Sequence, residues 1–261
     1  MQHDEADRLD QGLARSFADF SGRIEDARLE VRPGHRVVVC PRIPFPGLNG
    51  VWIDGPDESV RPDDLAQAIS QVEGLGLPCW IELRGNRTPA SADVARRLGF
   101  VHEEVIPGMV IRPGELAIPG SPEIEVTRVE EPARVAVAAT VGAAGFEVPE
   151  KDFTGMYTPL VATSPGVSIY VAKAEGRPVS TVTTWVGGGT VGIFNVATPP
   201  EERGRGYGRA ITAYAVREGF NTGADLAWLQ ASPLGEPVYR ALGFRQVETY
   251  LTLGRPPGAT G

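Results

Sequence analysis

The sequence lacks a long hydrophobic run, has few cysteines and carries no excess of positive charge. Because no stretch of about 18 apolar residues occurs, we expect no membrane-spanning helix and no membrane partner. Its two cysteines, Cys40 and Cys79, do not have a metal-ligand spacing, so we expect no metal site and two thiols packed as small apolar side chains. The formal net charge of −8 argues against a nucleic-acid partner, since binding phosphates requires a basic face.

The composition is that of an ordinary globular protein. The 261 residues are 42% hydrophobic and 22% charged, and this length suits one large domain or two of about 100–150 residues. Residues 1–5 are acidic and lack the positive region and apolar core of a secretory signal peptide. We therefore expect a cytoplasmic protein.

The most informative segment is residues 203–209, Arg-Gly-Arg-Gly-Tyr-Gly-Arg, which we call the glycine turn. It lies between a predicted apolar strand, residues 190–197, and a predicted amphipathic helix, residues 208–220. At the start of a helix, unpaired backbone N–H groups and the helix dipole favour anions. Glycine lets the backbone approach a phosphate closely, and arginine adds charge and forked donors. The pattern predicts a pyrophosphate-binding turn.

Two common nucleotide-binding motifs do not fit this segment. A dinucleotide fold requires G-x-G-x-x-G almost directly after a strand, whereas Gly204, Gly206 and Gly208 alternate and residues 198–203 separate them from the strand. A P-loop requires a lysine followed by serine or threonine after the last glycine, and none is present. The sequence therefore excludes both a dinucleotide-binding motif and a P-loop at this segment.

A self-similar pattern occurs twice along the chain. A tryptophan-containing strand at residues 79–83 is followed by Ala-Arg-Arg-Leu-Gly-Phe at residues 95–100, and residues 227–231 are followed by Tyr-Arg-Ala-Leu-Gly-Phe at residues 239–244. The glycine after each leucine fits a left-handed helix C-cap. The pattern predicts two copies of one unit with mixed helices and strands.

Proline and glycine mark the predicted boundaries of these copies. A cluster at residues 119–122 is typical of a junction between domains, and the last residues are again rich in both. We predict an N-terminal domain at residues 1–118, a C-terminal domain at residues 119–254 and a disordered tail at residues 255–261.

The spacing Arg203-x-x-Gly206-x-Gly208 resembles the coenzyme A signature of the GNAT superfamily of acyl-CoA-dependent N-acyltransferases. The downstream Tyr239-x-x-Leu-Gly-Phe resembles a second landmark of that family, and the likeness spans residues 123–253. The resemblance implies an α/β (α+β) fold with two GNAT-like units, each a mixed, mostly antiparallel twisted sheet flanked by helices. It also implies an N-acetyltransferase that moves an acetyl group from acetyl-CoA to a primary amine by direct transfer in a ternary complex.

The resemblance implies where the co-substrate would bind. Backbone amides of residues 204–209 would hold the CoA pyrophosphate, and strand 190–197 would diverge from strand 225–231 so that pantetheine pairs with the freed edges. The N–H of Val196 would point at the thioester oxygen as an oxyanion-type contact. The implied cofactor residues are Val196, Ala197, Thr198, Arg203, Gly204, Arg205, Gly206, Tyr207, Gly208, Arg209 and Ser232.

The same resemblance implies that Tyr239 protonates the leaving thiolate, and a phenol with a pKa of about 10 suits that role. The sequence departs from the family at two positions. Ser232 stands where asparagine is frequent, and Gly192 stands where some members carry a glutamate base. Deprotonation of the amine is then left to water, a backbone carbonyl, Glu147, Asp152 or Glu236.

The acceptor amine is sought in residues 142–163, which include a predicted helix at residues 149–160. Phe146, Glu147 and Asp152 are weak candidates for binding it, and the two carboxylates suit a cationic amine. A small molecule or a peptide amine both remain open, as does the oligomeric state. The alternative function is a non-catalytic acyl-CoA sensor or partner-binding protein, favoured by the missing glutamate and disfavoured by Tyr239 together with the glycine turn.

The first copy is predicted to have lost its cofactor site. Residues 55–64, which correspond to the glycine turn, contain one glycine and four carboxylates that would repel pyrophosphate. Ala95 stands where the second copy has Tyr239. We expect this degenerate copy to support the second or to form a wall of its substrate cleft.

Overall fold

The computed structural model describes residues 2–117, 120 and 122–256. It divides into two compact units. The large unit contains the chain up to Arg23 and residues 108–247, and the small unit contains residues 24–107 and the chain from Glu248 onward. The predicted boundary at residues 118–119 therefore differs from this division, because the first helix groups with the C-terminal half of the chain. Most of the predicted tail, residues 257–261, lies outside the described residues.

The helices and strands follow the chain in a mixed order. They are α1 Gln2–Ser21, β1 Arg28–Arg32, β2 His35–Val39, β3 Gly50–Ile53, α2 Pro62–Glu73, β4 Trp80–Arg84, α3 Pro89–Arg97, β5 His102–Ile111, β6 Glu125–Arg128, α4 Pro132–Phe146, α5 Glu150–Phe153, α6 Pro159–Ala162, β7 Val167–Ala174, β8 Arg177–Gly187, β9 Thr190–Ala197, α7 Tyr207–Asn221, β10 Leu226–Gln230, α8 Glu236–Ala241 and β11 Arg245–Gly254. Short 3-10 helices occur at Pro46–Leu48, Asp57–Ser59, Thr154–Met156 and Pro200–Glu202.

In the small unit, β1, β2 and β3 pair antiparallel in sequence, β3 pairs parallel with β4, and β4 pairs antiparallel with the end of β11. Helices α2 and α3 cover this sheet because their apolar residues recur on one side. Leu65 of α2 and Ala95 of α3 pack with Ile81 and Leu253 of the strands in one buried cluster.

In the large unit, β6, β7, β8 and β9 form an antiparallel meander, β9 pairs parallel with β10, and β10 pairs antiparallel with the end of β5. Helix α7 packs on one side of this sheet, where Ile211 and Val216 join Ile193 and Leu229 in the core. The predicted mixed, mostly antiparallel sheets flanked by helices are confirmed.

Helix α1 joins the large unit through a close contact with Trp228. A Cβ placed on Gly12 would lie 2.6 Å from the indole nitrogen, so only glycine allows this approach. The indole N–H donates to Thr190 Oγ1 over 3.0 Å, and the Trp185 indole donates to Asp19 of the same helix over 2.9 Å. These contacts link segments far apart in sequence, which a boundary predicted from a local proline and glycine cluster does not take into account.

The two segments that carry the self-similar sequence pattern share local structure. In each, a strand leads through a 3-10 turn into a helix and then into a parallel strand: β3, α2 and β4 in one, and β9, α7 and β10 in the other. The glycines after the short helices, Gly99 and Gly243, have φ of 90° and 99°. Phe100 and Phe244 each donate their N–H to the carbonyl five residues earlier, over 3.1 and 3.0 Å. The predicted left-handed C-caps are therefore confirmed.

No helix within the described ranges is long and apolar enough to cross a bilayer.

One buried carboxylate ties α1 to two other segments of the large unit. Glu5 is almost fully buried, and its carboxylate accepts hydrogen bonds from Arg112 and Arg245. Burial by itself would raise the pKa of Glu5, but the hydrogen bonds and charges of Arg245 and Arg112 outweigh it and lower that pKa.

We predict that Glu5→Gln lowers the free energy of unfolding by about 1–3 kcal/mol at pH 7, because it removes a charged partner from two arginines. Since the folded pKa lies below the ordinary glutamate value of about 4.3, the stabilisation is present above that value and lost as the pH falls through the folded pKa. Urea unfolding at pH 7 and pH 3 measures this difference. The exposed Glu131→Gln serves as the control, and an equal loss for both variants would contradict the prediction.

Candidate active site

The glycine turn leads from the end of β9 into the first turn of α7. Gly206 is the N-cap of α7 with φ of 83°, and Gly204 has φ of 76°. Residues with a Cβ avoid this left-handed region, so both positions require glycine for conformational reasons. Gly208 has a different reason, since a Cβ there would lie 3.1 Å from Thr198 Oγ1.

The backbone N–H groups of residues 204–209 form a row of free donors. Among the described residues they donate to no backbone carbonyl, and the first bond of α7 runs from Ala210 N to Gly206 O over 3.0 Å. The positive end of the helix dipole lies at the same place. The turn therefore offers an anion site made of backbone.

The arginine side chains of the turn are held by the protein. Arg203 Nη2 lies 2.9 Å from Glu147 Oε1 and donates to Gly145 O over 2.8 Å, and its Nε donates to Thr198 O over 3.1 Å. These three contacts fix the guanidinium between the end of α4 and the residue after β9.

Arg205 is held in a similar way. It lies 2.9 Å from Glu202, a buried carboxylate that also accepts from Arg177 over 3.0 Å. Arg209 donates to Gly120 O over 3.0 Å, and its Nε is buried and has no partner among the described residues. The free donors of the turn are therefore chiefly its amides.

The two parallel strands beside the turn separate partway along their length. The pairing of β9 with β10 begins at Thr190 and Leu226 and ends at Gly192 and Trp228. Strand β9 continues beyond this point to Ala197. The expected divergence of these strands is present. The edges of both strands beyond this point are open to an added extended chain.

A β-bulge interrupts β9 where the strands have separated. Thr183 of β8 pairs with Phe194 and Thr181 pairs with Ala197, so the register gives Asn195 and Val196 no partner of their own. Asn195 has φ of 50°, a left-handed conformation that asparagine tolerates better than most residues. The bulge therefore leaves Val196 outside the regular register of the ladder.

Side chains of the neighbouring elements hold the last residues of β9. Ser180 Oγ donates to Ala197 O over 2.8 Å and lies 3.0 Å from Thr198 Oγ1. Helix α4 approaches closely here, because a Cβ on Gly145 would lie 2.7 Å from the Cβ of Ala197. The backbone of Ala197 and Thr198 is therefore fixed from two sides.

Tyr239 lies on α8 and packs in the core cluster that Val196 and Tyr207 contact. Its ring centroid is 5.9 Å from that of Phe244, and its hydroxyl makes no hydrogen bond to any described residue. Burial raises the pKa of Tyr239 to about 12, so the phenol stays protonated at neutral pH. It is a proton donor without a partner.

Two departures from the family have structural explanations. Ser232 Oγ accepts from Gly235 N over 3.1 Å and so closes the turn that begins α8. Gly192 faces the ring of Trp228, and a Cβ there would lie 2.6 Å from it and 2.7 Å from Phe194. The space that a longer side chain would occupy at position 192 is filled.

The acceptor candidates fare differently. Glu147 is paired with Arg203, and Glu236, a candidate base, accepts from Arg240 over 2.8 Å, so neither carboxylate is free. Phe146 is partly exposed, and its ring centroid lies 5.3 Å from that of Phe153. The side chain of Asp152 lies outside the described part of the chain.

Sequence reasoning gave no role to Asn195 and placed Tyr157 only within the acceptor region. Thr183 Oγ1 donates to the Tyr157 hydroxyl over 3.3 Å, and the side chains of Thr181 and Asn195 interact with the same hydroxyl. An asparagine inside an apolar strand is unusual and could have indicated the bulge. Within the ranges that the structure covers, no group of three or more His, Cys, Asp or Glu could hold a metal ion.

Comparison with known proteins agrees with this geometry. A family model described as an acetyltransferase (GNAT) domain matches residues 165–246, which contain β7 to β10, the glycine turn and α8. Domains of this family transfer acyl groups from acyl-CoA. Over residues 165–246 the chain is therefore similar to a GNAT acetyltransferase domain, which supports an acetyltransferase.

Solved structures share the fold over nearly the whole chain. A GCN5-related N-acetyltransferase from Kribbella flavida is 20% identical with a TM-score of 0.72, covering 96% of this chain and 95% of that chain. A conserved protein of unknown function from Staphylococcus epidermidis is 15% identical with a TM-score of 0.64, covering 87% and 93%. A GCN5-related N-acetyltransferase from Sphaerobacter thermophilus is 16% identical with a TM-score of 0.59, covering 93% and 86%. No curated protein matches the sequence.

We predict that Gly192→Ala lowers the free energy of unfolding by about 1–3 kcal/mol, because the new methyl group overlaps Trp228 and Phe194. Gly22→Ala is the matched control, since a Cβ there lies 3.6 Å from its nearest neighbour, an ordinary contact. Thermal or urea unfolding measures both variants. Equal stability of the two would show that the space beside Gly192 is not filled.

Proposed function

We propose that the large unit moves an acetyl group from acetyl-CoA to a primary amine by direct transfer in a ternary complex. One observation carries the proposal: the row of free amides at residues 204–209 lies at the start of the helix that follows a strand separating from its parallel neighbour. Anion binding and strand addition are then available on consecutive elements. This combination is what a ligand with a pyrophosphate and an extended amide-containing arm requires.

The residues of the turn fit the diphosphate part of acetyl-CoA. Gly204 has no neighbour within 4 Å of where a Cβ would be, so a phosphate can approach its amide. The amides of residues 204–209 would hold the pyrophosphate, and Val196, Ala197 and Thr198 would meet the pantetheine arm through backbone. Ser232 and Tyr207 complete the predicted set of cofactor-binding residues. Among the described residues, Arg209 is the arginine of the turn that is not paired with a carboxylate.

Acetyl-CoA supplies the acetyl thioester when bound. The N–H of Val196, which has no register partner at the bulge, would donate to the developing oxyanion, a contact whose loss costs several kcal/mol of barrier in enzymes that use one. Tyr239 would hold the proton for the leaving sulfur, since its phenol is protonated and unpartnered. Removal of the amine proton would fall to water, a backbone carbonyl or Asp152, because Glu147 and Glu236 are both paired with arginine.

The cysteines favour direct transfer over an acyl-enzyme. Both belong to the small unit and are buried. Burial raises the pKa of Cys40 to about 11 and that of Cys79 to about 12, so neither is a thiolate at neutral pH. The amine itself is the nucleophile in this proposal.

The acceptor is a small-molecule or peptide amine. Because Glu147 is paired with Arg203, fewer free carboxylates are available to bind a cationic acceptor than the sequence indicated. Partly exposed Phe146, next to buried Phe153, offers an apolar contact instead.

We also propose that the small unit is a GNAT-like copy without a CoA site. Its parallel pairing runs to Ile53, the last residue of β3, so the two strands do not separate within that element. Helix α2 begins with Pro62, which has no N–H, followed by Asp63 and Asp64. Asp57 accepts from the amides of Ala90 and Ser91 over 2.8 Å each, so a carboxylate of the chain already caps α3.

We predict that Gly204→Ala weakens acetyl-CoA binding, since its methyl group and altered backbone disturb the amide row. Gly223→Ala at the other end of α7 is the control, because Gly223 also has a positive φ and free space beside it. Each variant should lose about 1–2 kcal/mol of stability. Millimolar acetyl-CoA should raise the melting temperature of wild type and Gly223→Ala more than that of Gly204→Ala. If wild type gains no stability, the proposed function itself fails.

We predict that Tyr239→Phe lowers kcat about 100-fold, measured as thiol release with an amine selected by a CoA-release screen, because the leaving sulfur loses its proton donor. Melting with acetyl-CoA should change little. Tyr214→Phe on α7 is the control and should retain the wild-type kcat. Unchanged thiol release in Tyr239→Phe would remove its assigned role.

A further inference from the structure

Tyr157 brings a hydroxyl into a small polar cluster on the side of β8 and β9 away from α7. The residue is 5% exposed, and its ring stacks on Phe153 with centroids 5.2 Å apart. Its hydroxyl accepts from Thr183 over 3.3 Å and also interacts with the side chains of Thr181 and Asn195. A buried phenol with polar neighbours on two adjacent strands needs a reason to be there.

The cluster coincides with the bulge in β9. Thr181 and Thr183 are the two β8 residues whose partners, Ala197 and Phe194, bracket the extra residue. Asn195 occupies the position of the bulge that requires a left-handed backbone, where glycine is usual. A glycine there would accept the φ value, so the asparagine side chain adds something that the backbone conformation does not require.

We propose that Tyr157 and Asn195 are positioning residues that hold the bulge in one register and thereby aim the Val196 N–H toward the separating strands. The structural half of this inference concerns the free protein alone. Its catalytic consequence rests on the proposed function, in which the Val196 N–H contacts the oxyanion.

Direct proton transfer by Tyr157 is a poor alternative. Burial raises the pKa of Tyr157 to about 12 even though Thr183, Thr181 and Asn195 lower it, and its hydroxyl, unlike that of Tyr239, is already hydrogen-bonded to Thr183. Its ring and hydroxyl are enclosed by the large unit. A fixed neutral group that contacts a strained strand residue serves to hold geometry.

Hydrogen exchange of the free protein, followed by mass spectrometry, tests the structural half. Tyr157→Phe keeps the ring stacked on Phe153 and removes only the hydroxyl. Asn195→Gly keeps the positive φ and removes only the side chain. We expect both to increase exchange at residues 193–198 about tenfold, and the double variant to exchange no faster than the faster single one, because the two groups act as a pair.

Two matched controls address general loosening. Tyr170→Phe removes another buried hydroxyl, from a residue that packs against Tyr214 on the α7 side of the sheet. Glu175→Gly replaces another non-glycine residue with a positive φ, 51°, in the turn between β7 and β8. Neither should change exchange at residues 193–198. If residues 193–198 exchange at the wild-type rate in Tyr157→Phe, or if the control variants raise exchange there equally, the proposed pairing of Tyr157 with Asn195 is overturned.

Kinetics with acetyl-CoA and a screened amine test the catalytic half. We expect kcat to fall about tenfold to 100-fold in Tyr157→Phe and Asn195→Gly, with the KM for acetyl-CoA and the shape of the pH profile unchanged, since a donor is misaimed but no titrating group is lost. A raised KM at constant kcat would overturn the positioning role. If exchange is faster in both variants but the wild-type protein does not turn over acetyl-CoA, the Tyr157–Asn195 pair is supported and the proposed function is contradicted.

Discussion

Strand β9 continues from Ile193 to Ala197 after its last partner on β10, and the site depends on how this end, unpaired on its β10 side, is held. An unpaired strand edge is a liability in most proteins, because its amides are free to pair with anything extended. Here a bulge at Asn195 leaves Val196 without a register partner, Ser180 fixes the carbonyl of Ala197, and α4 approaches at Gly145. The open edge is thereby held in a defined shape.

The polar groups of the glycine turn are likewise held in place by the protein without a ligand. Glu202 pairs with Arg205 and Glu147 with Arg203, so the arginines brace the turn and the backbone amides are left as its free donors. Amides aligned at a helix start need no reorganisation on binding, whereas long side chains lose rotamer freedom. A protein with net charge −8 can thus present one anion site without a broadly basic surface.

Local signals in the sequence predicted much of this. The strand at residues 190–197, the C-cap glycines Gly99 and Gly243, and the glycine turn depend on neighbouring residues and matched the structure. The predicted helix at residues 149–160 was wrong in part: a 3-10 turn at Thr154–Met156 and a new helix start at Pro159 break it. The Arg203–Glu147 pair and the packing of α1 on Trp228 join distant segments, which no local pattern encodes.

The contact between Gly192 and Trp228 limits which pairs of residues these two positions can hold. A glutamate at position 192 and a tryptophan at position 228 cannot occupy the same volume, since even a methyl group at 192 overlaps the indole. Gly12 closes the other side of that ring, so the indole cannot swing away. A carboxylate at 192 would therefore require a smaller residue at 228, and a smaller residue at 228 beside Gly192 would leave a cavity. The residues at positions 192 and 228 are sterically coupled.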